Sequence, residues 1–359
     1  MRGTQSFLEA LAVRTRWVDE LLLAPEFLNR VRPDHLQALV RAYLERGGKR
    51  LRPAVLLFAC GAVGGEERAA LPAAAALELF HTWTLMHDDI IDHDDMRRGG
   101  PTGHVRGAQL GVEGFRMGPE EAADYGLSLS LLAGDVQHGL CVALFLRCQG
   151  CAPSLLMRLV SELEYDVVCG LVEGEVLDVQ MGKQATADVT LEDALHMLYL
   201  KTGVLYEFAG KAGAMLCLGT EDATHPQVEA IRRFCAECGL AFQLQDDVLG
   251  ITGDEAKLGK PVGSDITEGK RTPVLLTAYA RADESQRAAL DRVVGNAHAT
   301  PQDIVAAIRL IRDLGAVEAV AEMARERVAR GLQSLRTLPP SPYRDWLEGW
   351  AAFMVDREF

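Results

Sequence analysis

Apolar residues recur at intervals of three and four along most of the chain, which is the period of an amphipathic helix. The clearest stretch runs from Leu71 to Asp92, where alanine and leucine dominate and Pro72 suits a first helical turn. No convincing series of alternating strands competes with this period. The pattern predicts an all-α protein, with further helical stretches at 154–179, 191–218, 225–249, 272–280 and 301–332.

Clusters of glycine and proline separate the helical stretches, but no long linker, repeat or low-complexity tract divides the chain. They lie at residues 47–48, 99–103, 111–119, 220–224, 253–269 and 338–342. A chain of 359 residues is long for one domain, but a single large helical bundle can hold it. We therefore expect one domain over residues 1–359.

An excess of acid narrows the expected partners, since 51 acidic against 37 basic side chains give a formal charge of −14. That balance argues against nucleic acid, because neutralising phosphates takes a basic surface. A charged fraction of 25% with 48% hydrophobic residues excludes a disordered chain. We find no run of about 18 uncharged apolar residues and no export signal. The sequence thus predicts a cytoplasmic protein without a transmembrane segment.

Eight cysteines are too few for a disulfide scaffold, so we expect most of them to be buried thiols. Two pairs have the CxxC spacing, Cys148 with Cys151 and Cys235 with Cys238. Together they could form a split four-cysteine zinc site. We favour accidental spacing, because both pairs lie in or beside helix-like sequence and no histidine nearby completes a site.

The first conspicuous cluster of carboxylates lies between His87 and His104. Asp88 and Asp92 are four residues apart and so share one helix face, with Asp89 just off that face. Like charges at that spacing repel, and acids at a helix C-terminus also oppose the macrodipole. A cation would compensate both effects, and a few oxygen ligands on an open helix end suit Mg²⁺. The alternative is a solvated acidic helix end.

A second apolar helix ends in paired aspartates, Asp246 and Asp247. A glycine-rich stretch with several lysines follows it and could close over a polyanion. Basic residues also stand beside glycine in GGKRLRP and directly after the first acidic cluster. Carboxylates that hold metals, interleaved with arginine and lysine that hold phosphate oxygens, are the requirements of a diphosphate site. Such a site requires the two acidic helix ends to face each other within one bundle.

The ordered set of motifs resembles the trans-isoprenyl diphosphate synthases, the polyprenyl synthetase family. The motifs are GGKRLRP, ELFHTWTLMHDDIID with RRGGPTGH, LLAGD, GEVLD, YLKTG, and FQLQDD with GDEAKLGKPVGSDITEGKRT, in a core of about residues 47–273. The resemblance implies a helical bundle around a central cavity, the isoprenoid synthase type I fold. It also implies a homodimer that condenses isopentenyl diphosphate with allylic diphosphates of C5 to C15, using about three Mg²⁺ ions.

The resemblance carries roles to individual positions. Metal binding and catalysis fall on Asp88, Asp92 and Asp246, with Asp89 and Asp247 as supporting metal residues and Lys201 as a further catalytic residue. Positions like those that grip isopentenyl diphosphate are Lys49, Arg52, His81 and Arg98. Positions like those around the allylic diphosphate are Arg97, Lys201, Thr202, Gln243, Lys260 and Lys270.

Three departures from the family pattern stand out. Gly250 occupies the place where many relatives have a third aspartate in the second motif. Glu175 stands where glutamine is common, one turn before Asp178. The stretch from Gly107 to Gly126 is longer than compact members of the family need, and we expect a surface loop or a small extra helix there.

Product length can be argued from helix geometry. Trp83 precedes Asp88 by five residues and so lies about 7 to 8 Å below it along the helix, with Phe80 a turn deeper. A large ring at that depth would act as a floor for the growing chain, whereas Thr84 is small. Short-chain members of the resembling family carry aromatics at or beside this position. We therefore predict geranylgeranyl diphosphate (C20) as the main product, with farnesyl diphosphate (C15) as the alternative and chains of C30 or more not expected.

Two other kinds of protein could carry aspartate-rich helices. A class I terpene cyclase or a head-to-head prenyl synthase has no reason to contain GGKRLRP and RRGGPTGH. A catalytically silent subunit of a heteromeric synthase would be expected to lose one aspartate pair or the basic residues. Only position 250 of the two aspartate motifs deviates here, so we predict an active prenyltransferase.

Overall fold

Helices make up nearly all of the regular structure in the computed structural model, which describes residues 2–253 and 262–356. Within those ranges the only sheet is a two-stranded hairpin of β1 (Met96–Arg97) and β2 (Gly100–Pro101). Its strands are antiparallel and pair Met96 with Pro101 and Arg97 with Gly100. The predicted all-α class is confirmed.

The first half of the chain forms α1 (Arg2–Leu22), α2 (Pro25–Leu28), α3 (Asp34–Glu45), α4 (Leu51–Ala62), α5 (Leu71–Ile91), α6 (Gly103–Phe115), α7 (Pro119–Phe145), α8 (Pro153–Glu162) and α9 (Val168–Met181). The second half forms α10 (Leu191–Leu198), α11 (Val204–Leu218), α12 (Pro226–Thr252), α13 (Ser264–Thr267), α14 (Pro273–Arg281), α15 (Glu284–Asp291), α16 (Pro301–Asp313), α17 (Ala316–Leu335) and α18 (Pro342–Asp356). Short 3₁₀ turns lie at Glu67–Ala70 and Thr186–Asp188.

Three of the predicted helical stretches are interrupted in the structure. The stretch 191–218 contains a π turn at Tyr199–Gly203 between α10 and α11, and 154–179 contains another at Leu163–Val167. The stretch 301–332 breaks at Gly315, which adopts a left-handed conformation with φ of 66°. Apolar periodicity does not register one extra residue in a turn, so the π turns are invisible to it.

Contacts divide the chain into two compact units. The first unit comprises Gln5–Val160 with Ala212–Asp222, and the second comprises Met1–Thr4, Ser161–Lys211 and Ala223–Phe359. In the first unit α5 packs on α4 and α7, and the alanines and leucines between Ala73 and Leu79 are fully buried. In the second unit α12 packs on α17 and α18. The expectation of one domain over residues 1–359 stays a prediction.

The stretch from Gly107 to Gly126 is helical apart from residues 116–118, so of the two alternatives that the sequence left open, a surface loop or an extra helix, the structure has the helix. It comprises most of α6 and the start of α7, and the two helices touch where a Cβ on Gly107 would lie 2.8 Å from the Gly126 Cα. Tyr125 shares a 2.9 Å hydrogen bond with His35 and packs edge-on against Phe115. Tyr125 therefore serves to pack α7 against α3 and α6.

Helix α7 bears on the expectation that the chain has no transmembrane segment. Its length and apolar composition alone would let it cross a bilayer, and 39% of its most apolar window is buried. The same helix packs against α3, α5 and α6. A core helix of a folded unit passes the same test, so this feature is weak support for a membrane span.

The cysteines divide into one bonded pair and six thiols. Cys60 of α4 and Cys217 of α11 form a disulfide, which the sequence did not predict and which is uncommon in a reducing compartment. Burial raises the pKa of Cys148 to about 12 and also raises the pKa of Cys235 and Cys238. Zinc binds the thiolate, so these shifts favour the reading of the CxxC pairs as accidental.

Candidate active site

The first acidic helix end is the C-terminus of α5. Asp92 caps this helix, and its backbone N–H donates to the Asp88 carbonyl at 2.8 Å. The two carboxylates stand one turn apart on one face, and both side chains are partly exposed. The structure thus places Asp88 and Asp92 on one helix face, as their spacing predicts.

Asp89 is oriented away from that face and has protein partners instead of solvent. It is completely buried, and its two oxygens accept hydrogen bonds from the Tyr43 hydroxyl and from Arg97 Nε. Arg97 also donates to Asp94 at 2.9 Å. Burial raises the pKa of Asp89, and the positive charge of Arg97 opposes that rise. With both oxygens engaged, Asp89 holds Arg97 in place, and its supporting metal role stays a prediction.

The hairpin after α5 places two arginines beside the start of α4. Arg98 has a left-handed backbone conformation and donates to the carbonyls of Gly47 at 2.5 Å and Tyr43 at 3.1 Å. A Cβ on Gly48 would lie 2.9 Å from the Arg98 guanidinium, so only glycine permits this approach. The GGK turn and the RRGG turn are therefore packed together, as a shared binding site for one diphosphate requires.

A buried carboxylate on α5 anchors the same region. Glu78 accepts from Arg50 Nη1 at 2.5 Å and lies 3.7 Å from Arg98 Nη2. Arg50 also donates to Asp19 at 2.8 Å, and its own backbone is left-handed at the start of α4. This network fixes the turn that carries Lys49 and Arg52, the first exposed and the second partly exposed.

His81 lies one turn beyond Glu78 on α5. Burial, together with the positive charges of Arg52 and Arg98, holds the pKa of His81 well below its usual value. The imidazole is therefore neutral at pH 7 and can donate one hydrogen bond without adding charge. The structure thus brings Arg52, His81 and Arg98 together, as the resemblance implied for isopentenyl diphosphate.

The second acidic helix end is the C-terminal part of α12. Asp246 is partly exposed, whereas Asp247 is 7% exposed. Asp247 Oδ1 accepts from Gln243 Nε2 at 3.4 Å, and Asp247 Oδ2 has no hydrogen-bond partner among the described residues. Burial first, and then the negative charges of Asp265 and Asp246, raise the pKa of Asp247 well above its usual value.

The π turn between α10 and α11 carries the predicted diphosphate residues of the second unit. Thr202 Oγ1 donates to Gln243 Oε1 of α12 at 3.3 Å. Lys201 Nζ lies 2.8 Å from both Glu175 and Asp178 of α9. A π turn shifts side chains round the helix axis and is frequent at functional sites. Lys201 is therefore held between two acids close to the second helix end.

Lys270 and Lys260 are the two remaining predicted lysines. Lys270 pairs with Glu268 at 3.3 Å. Lys260, together with its neighbour Lys257, lies outside the described residues. Their assignment to the allylic diphosphate stays a prediction.

The predicted chain-length residues lie on two faces of α5. Phe80, Trp83 and His87 face α7, where Trp83 stacks on His138 with ring centroids 4.4 Å apart and meets Phe80 edge-on at 5.1 Å. Thr84 precedes Asp88 by four residues and so shares its face. Trp83 thus forms a wall between α5 and α7, and its role as a floor for the growing chain stays a prediction.

The second helix end meets a simple test for a divalent cation. A buried carboxylate oxygen with no partner, beside two further aspartates, is costly unless a positive charge arrives. Among residues 2–253 and 262–356 no three side chains of Asp, Glu, His or Cys converge closely enough to hold a metal ion by themselves. Few protein ligands per ion is the situation in which Mg²⁺ takes the rest from water and phosphate. The residues therefore fit Mg²⁺ that arrives with a diphosphate.

Sequence reasoning assigned no role to three residues of the first unit. Tyr43 and Glu78 are buried polar groups on otherwise apolar helix faces, and Arg50 lies between two named basic residues. An acid or a phenol on a buried face needs a partner, and that requirement is the signal that could have pointed to them. Their partners could not be named without the fold.

Comparisons with known proteins agree with this site. The polyprenyl synthetase family model matches residues 33–311. Geranylgeranyl diphosphate synthase of Methanosarcina mazei is 33% identical over 93% of this chain and 93% of its own length. Geranylfarnesyl diphosphate synthase of Natronomonas pharaonis is 33% identical over 98% of this chain and 97% of its own.

One solved structure also bears on the site. The geranylgeranyl pyrophosphate synthase of Corynebacterium glutamicum, complexed with isoprenyl diphosphate and magnesium, superposes with a TM-score of 0.84 at 29% identity. The match covers 98% of both chains. The predicted fold and the predicted family are confirmed.

Proposed function

The chain belongs to the polyprenyl synthetase family, and from that premise we propose that it condenses isopentenyl diphosphate with allylic diphosphates of C5 to C15 to give geranylgeranyl diphosphate. The observation that carries this proposal is the buried Oδ2 of Asp247, which lies beside Asp246 and has no hydrogen-bond partner among residues 2–253 and 262–356. It supports a site that is completed by a cation and a diphosphate.

We further propose that Asp88, Asp92 and Asp246 hold Mg²⁺, about three ions in all, as magnesium in a solved relative supports. When bound, Mg²⁺ neutralises the diphosphate and makes it a better leaving group. The chain's own residues do the rest. Lys201 and Arg97 bind allylic diphosphate oxygens, while Lys49, Arg52 and Arg98 hold isopentenyl diphosphate. Neutral His81 orients the latter, and apolar α5 side chains exclude water from the allylic cation.

The C20 product is supported by the wall of Trp83, Phe80 and His138. Farnesyl diphosphate remains the shorter alternative. The similarity to a geranylfarnesyl diphosphate synthase favours testing for a C25 product as well.

We also propose that the protein is a homodimer, formed through α7. One face of this helix exposes Leu127, Leu131 and Leu132, the last 55% exposed, in a unit whose other helices cover the opposite face. An apolar strip of this kind is more stable when a second copy covers it. Replacing Leu131 and Leu132 by glutamate should give a monomer by light scattering. A single domain and a cytoplasmic location remain proposals.

The activity is tested by incubating the purified chain with Mg²⁺, isopentenyl diphosphate and each allylic primer from C5 to C15. Chromatography of the dephosphorylated products should show a C20 alcohol from every primer. A product that stops at C15 would select the shorter alternative. If no primer gives a product, the chain is a silent subunit or a different prenyl enzyme, and the proposal fails.

A further inference from the structure

Gly250 leaves a vacant position in the second aspartate motif. It follows Asp246 by four residues, as Asp92 follows Asp88 at the first helix end. Residues four apart on a helix share a face, so a side chain at position 250 would project beside that of Asp246. The chain therefore lacks, on α12 itself, the counterpart of Asp92.

Another carboxylate lies where that side chain would begin. A Cβ on Gly250 would be 2.9 Å from Oδ2 of Asp265, which is closer than real Cβ atoms approach an oxygen. A residue larger than glycine would therefore displace Asp265. The missing side chain at position 250 therefore leaves the space beside which the Asp265 carboxylate lies.

The backbone after α12 holds Asp265 in this place. Gly263 N–H donates to the Gly250 carbonyl at 2.9 Å, which ties the returning chain to the helix end. Gly263 has a φ of 85° and packs against Ile304 and Ile308, so a side chain is excluded there. The Lys270 N–H in turn donates to the Asp265 carbonyl at 2.9 Å. These backbone hydrogen bonds fix the turn that places Asp265 beside Gly250.

The surroundings of Asp265 independently call for a cation. The buried Oδ2 of Asp247 has no hydrogen-bond partner in the described parts of the chain. The charges that act on it most strongly are those of Asp265 and Asp246, so three carboxylates meet around a buried oxygen that a cation would satisfy.

We propose that Asp265 supplies the third carboxylate of the second motif in place of a side chain at position 250, and faces the divalent cation bound at Asp246. This inference rests on the proposed function, because it assumes that Asp246 holds the ion. The carboxylate acts directly or through one of the waters of the ion.

The test measures metal binding rather than turnover. Mn²⁺ is titrated into the full-length protein with inorganic pyrophosphate, and bound ion is followed by electron paramagnetic resonance. We expect Asp265→Asn to weaken Mn²⁺ binding about tenfold, as loss of a supporting ligand does. Asp313→Asn, an equal charge change at an exposed position of α16, should leave binding unchanged.

A relocation variant shows whether Asp265 replaces position 250. Asp265→Ala combined with Gly250→Asp returns a carboxylate to α12 and should recover binding to within about threefold of wild type. Unchanged binding in Asp265→Asn would overturn the inference. So would a relocation variant that melts like wild type but binds as weakly as Asp265→Asn. If the wild type itself binds no Mn²⁺ with pyrophosphate, the proposed function fails instead.

Discussion

The two acidic helix ends carry the same sequence pair, but their second aspartates have opposite environments. Both Asp89 and Asp247 are buried. Asp89 has Arg97 and Tyr43 on its two oxygens. Asp247 has the amide of Gln243 on one oxygen and, among the described residues, no partner on the other. One carboxylate is thus compensated by the fold, and the other is not.

This difference separates two uses of one motif. At the first end the buried acid organises the arginine that follows α5, so the charge is satisfied before any ligand binds. At the second end Asp265 and Asp246 add negative charge beside the buried Asp247, and a bound cation would lower the electrostatic cost there. The second aspartate of the first end is therefore used within the fold, whereas the second aspartate of the second end favours a bound cation.

The largest expected effect comes from replacing the outward-facing aspartates, Asp88 and Asp246. The loss of activity should be similar at both helix ends. Asp88→Asn and Asp246→Asn should each lower kcat/KM about 1000-fold, or about 4 kcal/mol, because each removes charge that binds Mg²⁺. Steady-state kinetics with a C15 primer measures it, with Asp313→Asn as the charge-matched control. A loss below tenfold at one end would show that this end does not bind the metal.

Replacing the inward-facing aspartates, Asp89 and Asp247, should change the free energy of unfolding in opposite directions when no metal is bound. Asp89→Asn removes the buried counter-charge of Arg97, leaves it only the more exposed Asp94, and should cost about 3 kcal/mol. Asp247→Asn removes an uncompensated charge and should stabilise the protein by about 1 kcal/mol. Urea unfolding in a chelator compares both with wild type. Destabilisation by Asp247→Asn in the chelator would break the contrast between the two ends.

The stability difference between Asp247→Asn and wild type should depend on pH. Burial raises the pKa of Asp247 in the folded protein above its value in the unfolded chain, which is about 3.9. The contribution of Asp247 to stability is therefore fully present below the unfolded pKa and is lost as the pH rises through the folded pKa. The advantage of Asp247→Asn over wild type should therefore grow with pH, by at most about 1.4 kcal/mol per unit, and then level off. Urea unfolding from pH 4 to 8 in a chelator follows it. A difference that stays constant would show that Asp247 remains ionised in the folded protein throughout.

Sequence predicted what depends on local spacing. The period of apolar residues gave α5 and α12, and a separation of four placed Asp88 with Asp92 on one face. It could not give the partners of Asp89, because Tyr43 reaches it from another helix, nor the approach of Asp265 to Gly250. The π turn at Lys201 was also missed, since one added residue barely alters a hydrophobic pattern. Contacts between distant residues follow from packing, which a single sequence does not display.

A smaller effect belongs to the first end alone. Trp83→Ala opens the wall between α5 and α7, and should raise the ratio of C25 to C20 products about fivefold, or about 1 kcal/mol. Chromatography of the products measures this ratio. Trp17→Ala is the control, because Trp17 is a half-buried tryptophan of the same unit that contacts Arg68 instead. An unchanged ratio in Trp83→Ala would leave Trp83 as helix packing only.

The smallest effect belongs to the second end, where Lys201 is shared between Glu175 and Asp178. An allylic diphosphate must compete with both acids for this lysine. Glu175→Gln keeps the shape, removes one competing charge and should lower KM for the primer about twofold to threefold, since exposed charge pairs contribute about 0.5 kcal/mol. Glu162→Gln is the matched control, because Glu162 contacts Lys211 at 2.7 Å in the same unit. A KM that rises in Glu175→Gln would mean that Glu175 orients Lys201 for the substrate rather than competing with it.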